Sequence, residues 1–149
     1  MENIFDSWLV NTYIAHKGLH DEESPENSLS AFQKAIDKNY AIELDVRLLS
    51  DNTVVVFHDE KISRMTSGDK YVNSLTKEEL KDYPLLNSKE VIPTFEEVLN
   101  LVNGQVPILI EIKNDGNVGD LEKQVLKLLK EYNGEFAVQS FNPYTIEWF

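Results

Sequence analysis

The sequence has no cysteine among its 149 residues. Disulfide bridges, thiolate-bound metals and cysteine nucleophiles are therefore all excluded. No apolar run approaches the roughly 20 residues that a membrane-spanning helix requires, so no transmembrane segment is expected. The N-terminal stretch MENIFDSWLV lacks both the basic start and the continuous apolar core of a secretory signal. The cytoplasm is therefore the expected location.

Positive charge is also scarce, with 14 Lys and Arg residues against 26 Asp and Glu residues and a net charge of −12 at pH 7. No basic run offsets this balance, so binding to nucleic acid or to an anionic membrane through bulk electrostatics is not expected. An anionic substrate would need a local positive centre, such as a metal ion. The chain length fits one domain, so residues 1–149 are predicted to form a single unit.

Short β-rich apolar runs alternate with amphipathic segments along the chain. This alternation favours parallel βαβ units, in which helices cover the strands. The exception is Asp51-Asn52, which is typical of a tight turn between two adjacent strands. Residues 59–92 are predicted to form an irregular excursion with one short helix at 76–83, of the kind that often carries substrate contacts. Strands are predicted at 12–16, 41–46, 53–58, 107–113 and 136–141, and helices at 27–38, 94–102 and 120–132.

Three acidic residues fall near the carboxyl ends of predicted strands. Side chains two apart share one face of a strand, so Glu43 and Asp45 point the same way, and Glu111 is placed likewise on a later strand. Like charges brought together repel by roughly 4 kcal/mol per pair at about 4 Å and an effective dielectric near 20. Protonation or salt bridges could offset this repulsion, but a hard divalent cation fits better because one ion can bind all three carboxylates.

Two histidines also close predicted strands, His16 after TYIA and His58 after TVVVF. In a parallel barrel the carboxyl ends of the strands meet at one face, so both imidazoles are expected beside the carboxylates. Such a pair suits general acid/base chemistry, in which one group accepts a proton and the other donates one. His20, in an acidic loop, is predicted to be a surface residue. Large aromatic residues are assigned to core or barrel-end packing, namely Phe57, Phe141 and Trp148.

Seven segments carry a resemblance to a known family: IAHKG, PENSLSAFQKAI, IELDVR, VVVFHDE, IPTFEEVL, ILIEIK and QSF. In this order and approximate spacing, from about residue 12 to the end, they resemble the glycerophosphodiester phosphodiesterase family. The resemblance implies a (β/α)8 TIM barrel of the α/β class. It also implies hydrolysis of a small-molecule glycerophosphodiester to glycerol 3-phosphate and an alcohol, with Mg2+ or Ca2+ as the divalent metal.

Residue roles follow from the resemblance, motif by motif. It implies that Lys113 steadies the phosphate or the metal ligands and that Glu26 of PEN is a supporting contact. Lys17 stands where the family usually has arginine, and it is expected to contact phosphate as a point charge without the bidentate fork. The implied metal ligands are Glu43, Asp45 and Glu111, and the implied acid/base pair is His16 and His58.

The chain is shorter than the barrel that the resemblance implies. A (β/α)8 barrel takes about 250 residues, whereas this sequence supplies only about the first five strands. A truncated barrel is therefore expected, and its open edge could support self-association. Two alternatives stay open: a catalytically silent metal-binding or interaction module, and a related phospholipase or lyase that acts on lysophospholipids.

Overall fold

A computed structural model describes residues 13–114 and 118–149. One sheet holds five strands: β1 (Ile14–His16), β2 (Ala41–Leu48), β3 (Val54–Val56), β4 (Ile108–Ile112) and β5 (Phe136–Gln139). β1, β2, β4 and β5 lie side by side and run parallel, whereas β3 pairs antiparallel with β2. All five predicted strands are therefore present, although the predictions for Thr12 and for the N-terminal signal segment lie outside the described residues.

The helices are α1 (Leu29–Asp37), α2 (Phe95–Val102), α3 (Asp120–Lys130) and α4 (Pro143–Trp148). The first three were predicted, and α4 was not. The predicted helix at 76–83 is a short 3-10 helix at Glu78–Asp82. A second 3-10 turn lies at Val72–Ser74. Across the described ranges, none of the helices has the length and apolar character that crossing a bilayer requires.

Side-chain caps define where the helices begin. α1 begins at Leu29 and not at residue 27 as predicted, because Ser28 caps it: the Ser28 side chain accepts a hydrogen bond from the backbone N–H of Ala31. α2 begins after Thr94 in a capping box, in which Thr94 and Glu97 each satisfy a backbone donor of the other.

The even-numbered residues of β2 and β4 form the main core. Ile42, Leu44, Ile108 and Ile110 are fully buried against the inner faces of α1 and α2. Each such side chain contributes about 1.5–3 kcal/mol relative to an exposed one. Because neighbouring side chains of a strand alternate, the odd-numbered residues point to the opposite face of the sheet.

A second apolar cluster lies under the 59–92 excursion. Leu49, Val55 and Phe57 of the β2–β3 region pack there against Ile62. The excursion is irregular, as predicted, and it also packs as a small unit on the β2–β3 hairpin. The other members of the cluster are Met65, Val72, Leu75, Leu80, Leu85 and Ile92.

The β2–β3 hairpin changes the route by which His58 reaches the sheet edge. Asn52 adopts a positive φ of 67° in the predicted turn, and β3 then runs back along β2. The backbone N–H of Phe57 donates to the carbonyl oxygen of Asp45 at 2.9 Å. The prediction that His58 stands at the tip of a parallel strand is therefore wrong, because β3 is antiparallel and returns His58 to the level of Asp45.

Of the three aromatic residues predicted to be packed, one is buried and two are exposed. Phe57 is 3% exposed and belongs to the second cluster. Phe141 is 91% exposed and Trp148 is 39% exposed, so their assignment to core or barrel-end packing is wrong for the described structure. Both lie on or beside α4, next to the edge strand β5.

The capping box of α2 gives a test of the fold. We expect Thr94→Ala to lower the free energy of unfolding by about 1 kcal/mol, because it removes the side-chain acceptor for the Glu97 N–H. Urea denaturation measures the change. Thr94→Ser keeps the hydroxyl and should retain most of the stability, whereas an equal loss in both variants would show that the threonine methyl, not the cap, matters.

Candidate metal centre

Strand register brings the three predicted carboxylates together. Asp45 of β2 is the direct partner of Glu111 on β4, and Glu43 of β2 is the direct partner of His16 on β1. Oxygen atoms from Glu43, Asp45 and Glu111 all lie within 4.8 Å of one another. The odd-numbered face of the sheet therefore carries a compact group of oxygen donors near its carboxyl edge.

The three carboxylates are buried and only partly satisfied. Glu43 is 4% exposed and Asp45 is fully buried. Glu43 Oε1, Asp45 Oδ1 and Asn27 Oδ1 accept no hydrogen bond from any described residue. Buried polar atoms in folded proteins are almost always paired, so these three oxygens indicate a position for a missing partner. Oxygen-only donors of this kind suit a hard divalent cation.

Electrostatics at Glu43 point the same way. Burial, then the charge of Asp45 and more weakly that of Glu111, raises its pKa to about 7, although the Lys17 backbone N–H opposes the shift. A bound cation would stabilise the ionised form and oppose this effect. The site therefore holds more negative charge than the neighbouring protein groups offset.

A tight turn after β1 supplies one hydrogen bond to Glu43. Lys17 adopts a positive φ of 59°, and its backbone N–H donates to Glu43 Oε2 at 3.1 Å. Gly18 follows at φ 80°, where an added Cβ would lie 2.9 Å from Ala31 Cβ. Only glycine fits this approach to α1 without displacing it. The HKG sequence is therefore required by the turn as well as by the chemistry of its side chains.

His16 lies directly beside the carboxylate group. Its Nε2 is 3.3 Å from Glu43 Oε2, and its side chain is 68% exposed. The imidazole thus combines contact with the buried cluster and access to solvent. His20, as predicted, is an exposed surface residue.

Asn27 was assigned a helix-start role, but its side chain has a different position. Its Nδ2 donates to Asp45 Oδ2 at 3.1 Å, and the residue is 2% exposed. A positive φ of 56° at Asn27 turns the chain toward the site just before α1. Asparagine tolerates this conformation better than most residues, which explains the residue type in the PEN motif.

Lys113 lies on the other side of the group. Its Nζ is 3.0 Å from Glu111 Oε1 and 5.5 Å from the centre of the exposed Phe141 ring. The predicted contact with the candidate ligands is therefore present. A small cavity of about 200 Å³ opens here, lined by Ile112, Lys113, Asn114, Ser140, Phe141 and Asn142.

His58 pairs with its neighbour and not with the carboxylate group. His58 Nδ1 lies 2.7 Å from Asp59 Oδ1. Hydrogen bonding from Arg64, with a smaller effect from His58, lowers the pKa of Asp59 to about 2, so this carboxylate is ionised at neutral pH. An ionised carboxylate can only accept, so Nδ1 carries the proton and Nε2 is left for another partner.

Two arginines complete the surroundings, and sequence reasoning assigned a role to neither. Arg47 lies on the same face of β2 as Glu43 and Asp45, and its Nε and Nη2 donate to the carbonyl oxygen of His58. The two-residue period of the strand, applied to IELDVR, could have placed Arg47 on this face from the sequence. Arg64 bonds both Asp59 and Glu26, and no short-range pattern links residues so far apart in the sequence.

Glu26 was predicted to be a supporting contact. Its carboxylate accepts two hydrogen bonds from Arg64 and lies 3.4 Å from Lys17 Nζ. Burial alone would raise the pKa of Glu26, but Arg64 and Lys17 outweigh it and lower the pKa. The Lys17 ammonium group, predicted to contact phosphate, is paired with Glu26 here.

The chain is similar to known proteins in both sequence and structure. The model of the Glycerophosphoryl diester phosphodiesterase family matches residues 16–147. A glycerophosphodiester phosphodiesterase from Caldanaerobacter subterraneus subsp. tengcongensis is 35% identical over 145 residues, which cover 89% of this chain and 59% of that protein. A lysophospholipase D from Homo sapiens is 33% identical over 141 residues, covering 85% of this chain and 43% of that protein.

Solved structures agree with the fold. A phosphodiesterase from Oleispira antarctica, solved in complex with the product sn-glycerol-3-phosphate, aligns with a TM-score of 0.85 and 26% identity, covering 91% of this chain and 60% of that one. A glycerophosphodiester phosphodiesterase from Thermotoga maritima aligns at 0.76 and 32% identity, covering 92% and 57%.

The predicted α/β class is confirmed, since the structural neighbours are TIM-barrel proteins of this kind. The chain spans about 60% of the length of the relatives named first in each comparison. Because the family model covers nearly all of the described residues, the chain belongs to the glycerophosphoryl diester phosphodiesterase family.

Proposed function

We propose that this chain binds a divalent cation through Glu43, Asp45 and Glu111 and takes part in the hydrolysis of glycerophosphodiesters. The observation that carries the proposal is the buried carboxylate group, whose oxygens lie within 4.8 Å of one another and include two without a hydrogen-bond donor. Burying charged oxygens without hydrogen-bond donors costs free energy of folding, and a bound cation would offset that cost.

The donor set suits Mg2+ or Ca2+, since every candidate ligand atom is an oxygen. Asn27 Oδ1, which has no donor among the described residues, is a further oxygen beside Asp45. When bound, the cation would polarise the phosphoryl oxygens and offset their negative charge. The net charge of −12 makes such a local positive centre necessary for an anionic substrate.

His16 and His58 are proposed as the acid/base pair. One imidazole accepts the proton of the hydroxyl that attacks phosphorus, and the other protonates the leaving oxygen as its bond to phosphorus breaks. His58 is held through Nδ1 by Asp59, which leaves Nε2 for proton transfer. His16 is exposed above Glu43, so it can reach both solvent and a phosphoryl group at the carboxylate site.

Lys17 and Lys113 are proposed to bind the substrate phosphate. Both side chains are mostly buried. Lys17 follows His16 in the chain and pairs with Glu26, and Lys113 pairs with the proposed ligand Glu111. Cation binding by Glu111 would weaken its hold on Lys113 and free that ammonium group for the phosphate.

Glycerophosphodiesters are the substrate class that the relatives favour. The Oleispira antarctica neighbour was solved with sn-glycerol-3-phosphate, which would be one product of such a reaction. The human lysophospholipase D relative favours a second candidate, in which the diester belongs to a lysophospholipid. Activity assays with both substrate types distinguish the two candidate functions.

Turnover of glycerophosphocholine tests the proposed activity. We expect release of glycerol 3-phosphate with added Mg2+ or Ca2+, abolition by EDTA, and a loss of about 10²–10⁴-fold in His58→Ala, because a general acid/base group is removed. An enzyme-coupled assay of glycerol 3-phosphate follows this reaction. Lysophosphatidylcholine is assayed in parallel by the release of choline, because its hydrolysis leaves lysophosphatidate and not glycerol 3-phosphate.

His20→Ala is the matched control, since His20 is exposed and lies outside the candidate site. It should retain wild-type activity. If the purified chain binds metal but turns over neither substrate, the catalytically silent module becomes the better description. Turnover that persists in EDTA would contradict the metal proposal itself.

The raised pKa of Glu43 gives a test that needs no turnover. Its folded-state pKa is about 7 against an ordinary value of 4.5, so its contribution to stability is fully present below pH 4.5 and lost as pH rises through about 7. Glu43→Gln cannot ionise. We therefore expect its melting temperature, relative to wild type, to increase between pH 4.5 and 8 in the absence of metal.

Added Mg2+ or Ca2+ at pH 8 should stabilise the wild type more than Glu43→Gln, because binding favours the folded state. Glu22→Gln, on an exposed loop, controls for loss of one surface charge. A difference between wild type and Glu43→Gln that stays constant with pH would contradict the assigned shift.

The 149 residues are proposed to act as one domain, and the β5 edge is proposed to pair with a second copy of the chain. In the described structure β5 ends the sheet, and Phe136 on it is 40% exposed. Unpaired edge strands beside exposed apolar side chains favour association. Further exposed apolar residues in this region are Phe141, Tyr144, Ile146, Trp148 and Phe149.

Light scattering after size exclusion tests the pairing. The molar mass should rise with protein concentration, and Phe136→Lys should suppress the rise because a charge on an edge strand disfavours pairing. Leu86→Lys changes another exposed apolar residue, on the excursion, and should leave the association intact. A constant monomer mass at all concentrations would rule out this pairing.

A further inference from the structure

Arg64 makes an unusually complete set of contacts for a side chain that is half exposed. Its Nη1 and Nη2 donate to the two carboxylate oxygens of Glu26 at 2.8 and 3.0 Å. Its Nε and Nη2 donate to the two oxygens of Asp59 at 2.8 and 3.1 Å. The guanidinium fork is thus used against two carboxylates at once, a geometry that lysine cannot reproduce.

The two carboxylates belong to different parts of the site. Glu26 precedes α1 and lies beside Lys17, which follows His16 in the chain. Asp59 follows His58 and accepts from its Nδ1. Arg64 therefore joins the segment that carries one proposed catalytic histidine to the segment that carries the other, across 38 positions of sequence.

Asp59 could not hold His58 as firmly without this contact. A carboxylate beside a histidine can rotate away or accept bonds from water, and the pair alone fixes neither its own position nor the ring tautomer. Arg64 binds both Asp59 oxygens, which holds the carboxylate with Oδ1 at 2.7 Å from His58 Nδ1. The proton on Nδ1 then leaves Nε2 free to accept one.

Exposure decides what Arg64 contributes. The Arg64 side chain is 50% exposed, whereas those of Glu26 and Asp59 are 13% and 24% exposed. Ion pairs that solvent reaches contribute little to folding stability. Four hydrogen bonds from a half-exposed side chain at the edge of a proposed site are better explained by the orientation they impose than by folding stability alone.

We propose that Arg64 is a positioning residue that orients the imidazole of His58 through Asp59 and fixes this loop to Glu26. The inference rests on the proposed function for its catalytic consequence, but the orientation of His58 can be measured without turnover. In the described structure Arg64 contacts Glu26 and Asp59 and not the carboxylate group, so it acts through Asp59.

The test compares Arg64→Ala and Arg64→Lys with the wild-type chain in two measurements. The first is the tautomer of His58, from long-range 1H–15N spectra of the imidazole at a pH where the ring is neutral. His58→Gln assigns the signal among the three histidines. The second is kcat and KM for metal-dependent hydrolysis of glycerophosphocholine.

We expect the Nδ1–H form to dominate in the wild type and to lose its preference in Arg64→Ala. kcat should fall about 10–100-fold, as is typical when a group that orients a site residue is removed, with little change in KM. The tautomer preference and kcat of Arg64→Lys should lie between those of the wild type and of Arg64→Ala, because lysine can replace only part of the guanidinium's hydrogen bonds. Melting temperatures should stay close to that of the wild type.

Lys61→Ala is the matched control. Lys61 is a cation on the same excursion, it pairs with Asp69, and it contacts neither Glu26 nor Asp59 in the described structure. It should keep both the tautomer and the kcat of the wild type. Equal losses in Lys61→Ala and Arg64→Ala would overturn the proposal, because a general effect on the excursion would then explain both.

A wild-type tautomer and kcat in Arg64→Ala would also overturn it. If the wild-type chain shows no turnover, the proposed function fails, and the tautomer measurement alone decides on Arg64: a lost preference supports the positioning role and an unchanged one overturns it. If Arg64→Ala does not fold, Arg64→Lys carries both measurements, and wild-type values in that variant overturn the proposal.

Discussion

Parallel pairing of β2 with β4 sets Asp45 beside Glu111, and pairing of β1 with β2 sets Glu43 beside His16. The same register buries Ile42, as its alternation with Glu43 requires, against the helices. A one-residue slip would send the isoleucines to the open face and the carboxylates into the apolar core. Core packing therefore selects the register, and the register in turn assembles the site.

Once assembled, the carboxylate group needs positive or donor groups around it, and the chain supplies them unevenly. Lys17 gives a backbone N–H to Glu43, Asn27 gives an amide to Asp45, and Lys113 gives an ammonium group to Glu111. Each carboxylate is contacted by one of these groups, and Glu43 Oε2 also lies 3.3 Å from His16 Nε2. The opposite oxygens of Glu43 and Asp45 remain without donors among the described residues, which is the arrangement that a shared cation would complete.

Sequence reasoning succeeded where a local period controls the geometry. The two-residue alternation of β2 and β4 placed Glu43, Asp45 and Glu111 on one face without any knowledge of their neighbours. It failed where distant segments meet. Nothing in the sequence indicates that Asn27 turns toward Asp45 instead of capping α1, or that Arg64 reaches Glu26 across 38 positions. It recognised the turn at Asp51-Asn52 before β3 but still placed His58 with the tips of the parallel strands, because strand patterns report faces and not direction.

The antiparallel course of β3 has a mechanical consequence for the proposed acid/base pair. His16 belongs to the parallel sheet, and its position follows from the main core. His58 follows β3, whose Val55 and neighbouring Phe57 pack with the second cluster under the 59–92 excursion. The two histidines are therefore positioned by different packing units. The distance between the two imidazoles must then be set by contacts that cross between these units. Two such contacts join Arg47 to the His58 carbonyl and Arg64 to Glu26. The excursion can accordingly change its sequence, and with it the position of His58, while the carboxylate group and its sheet stay fixed.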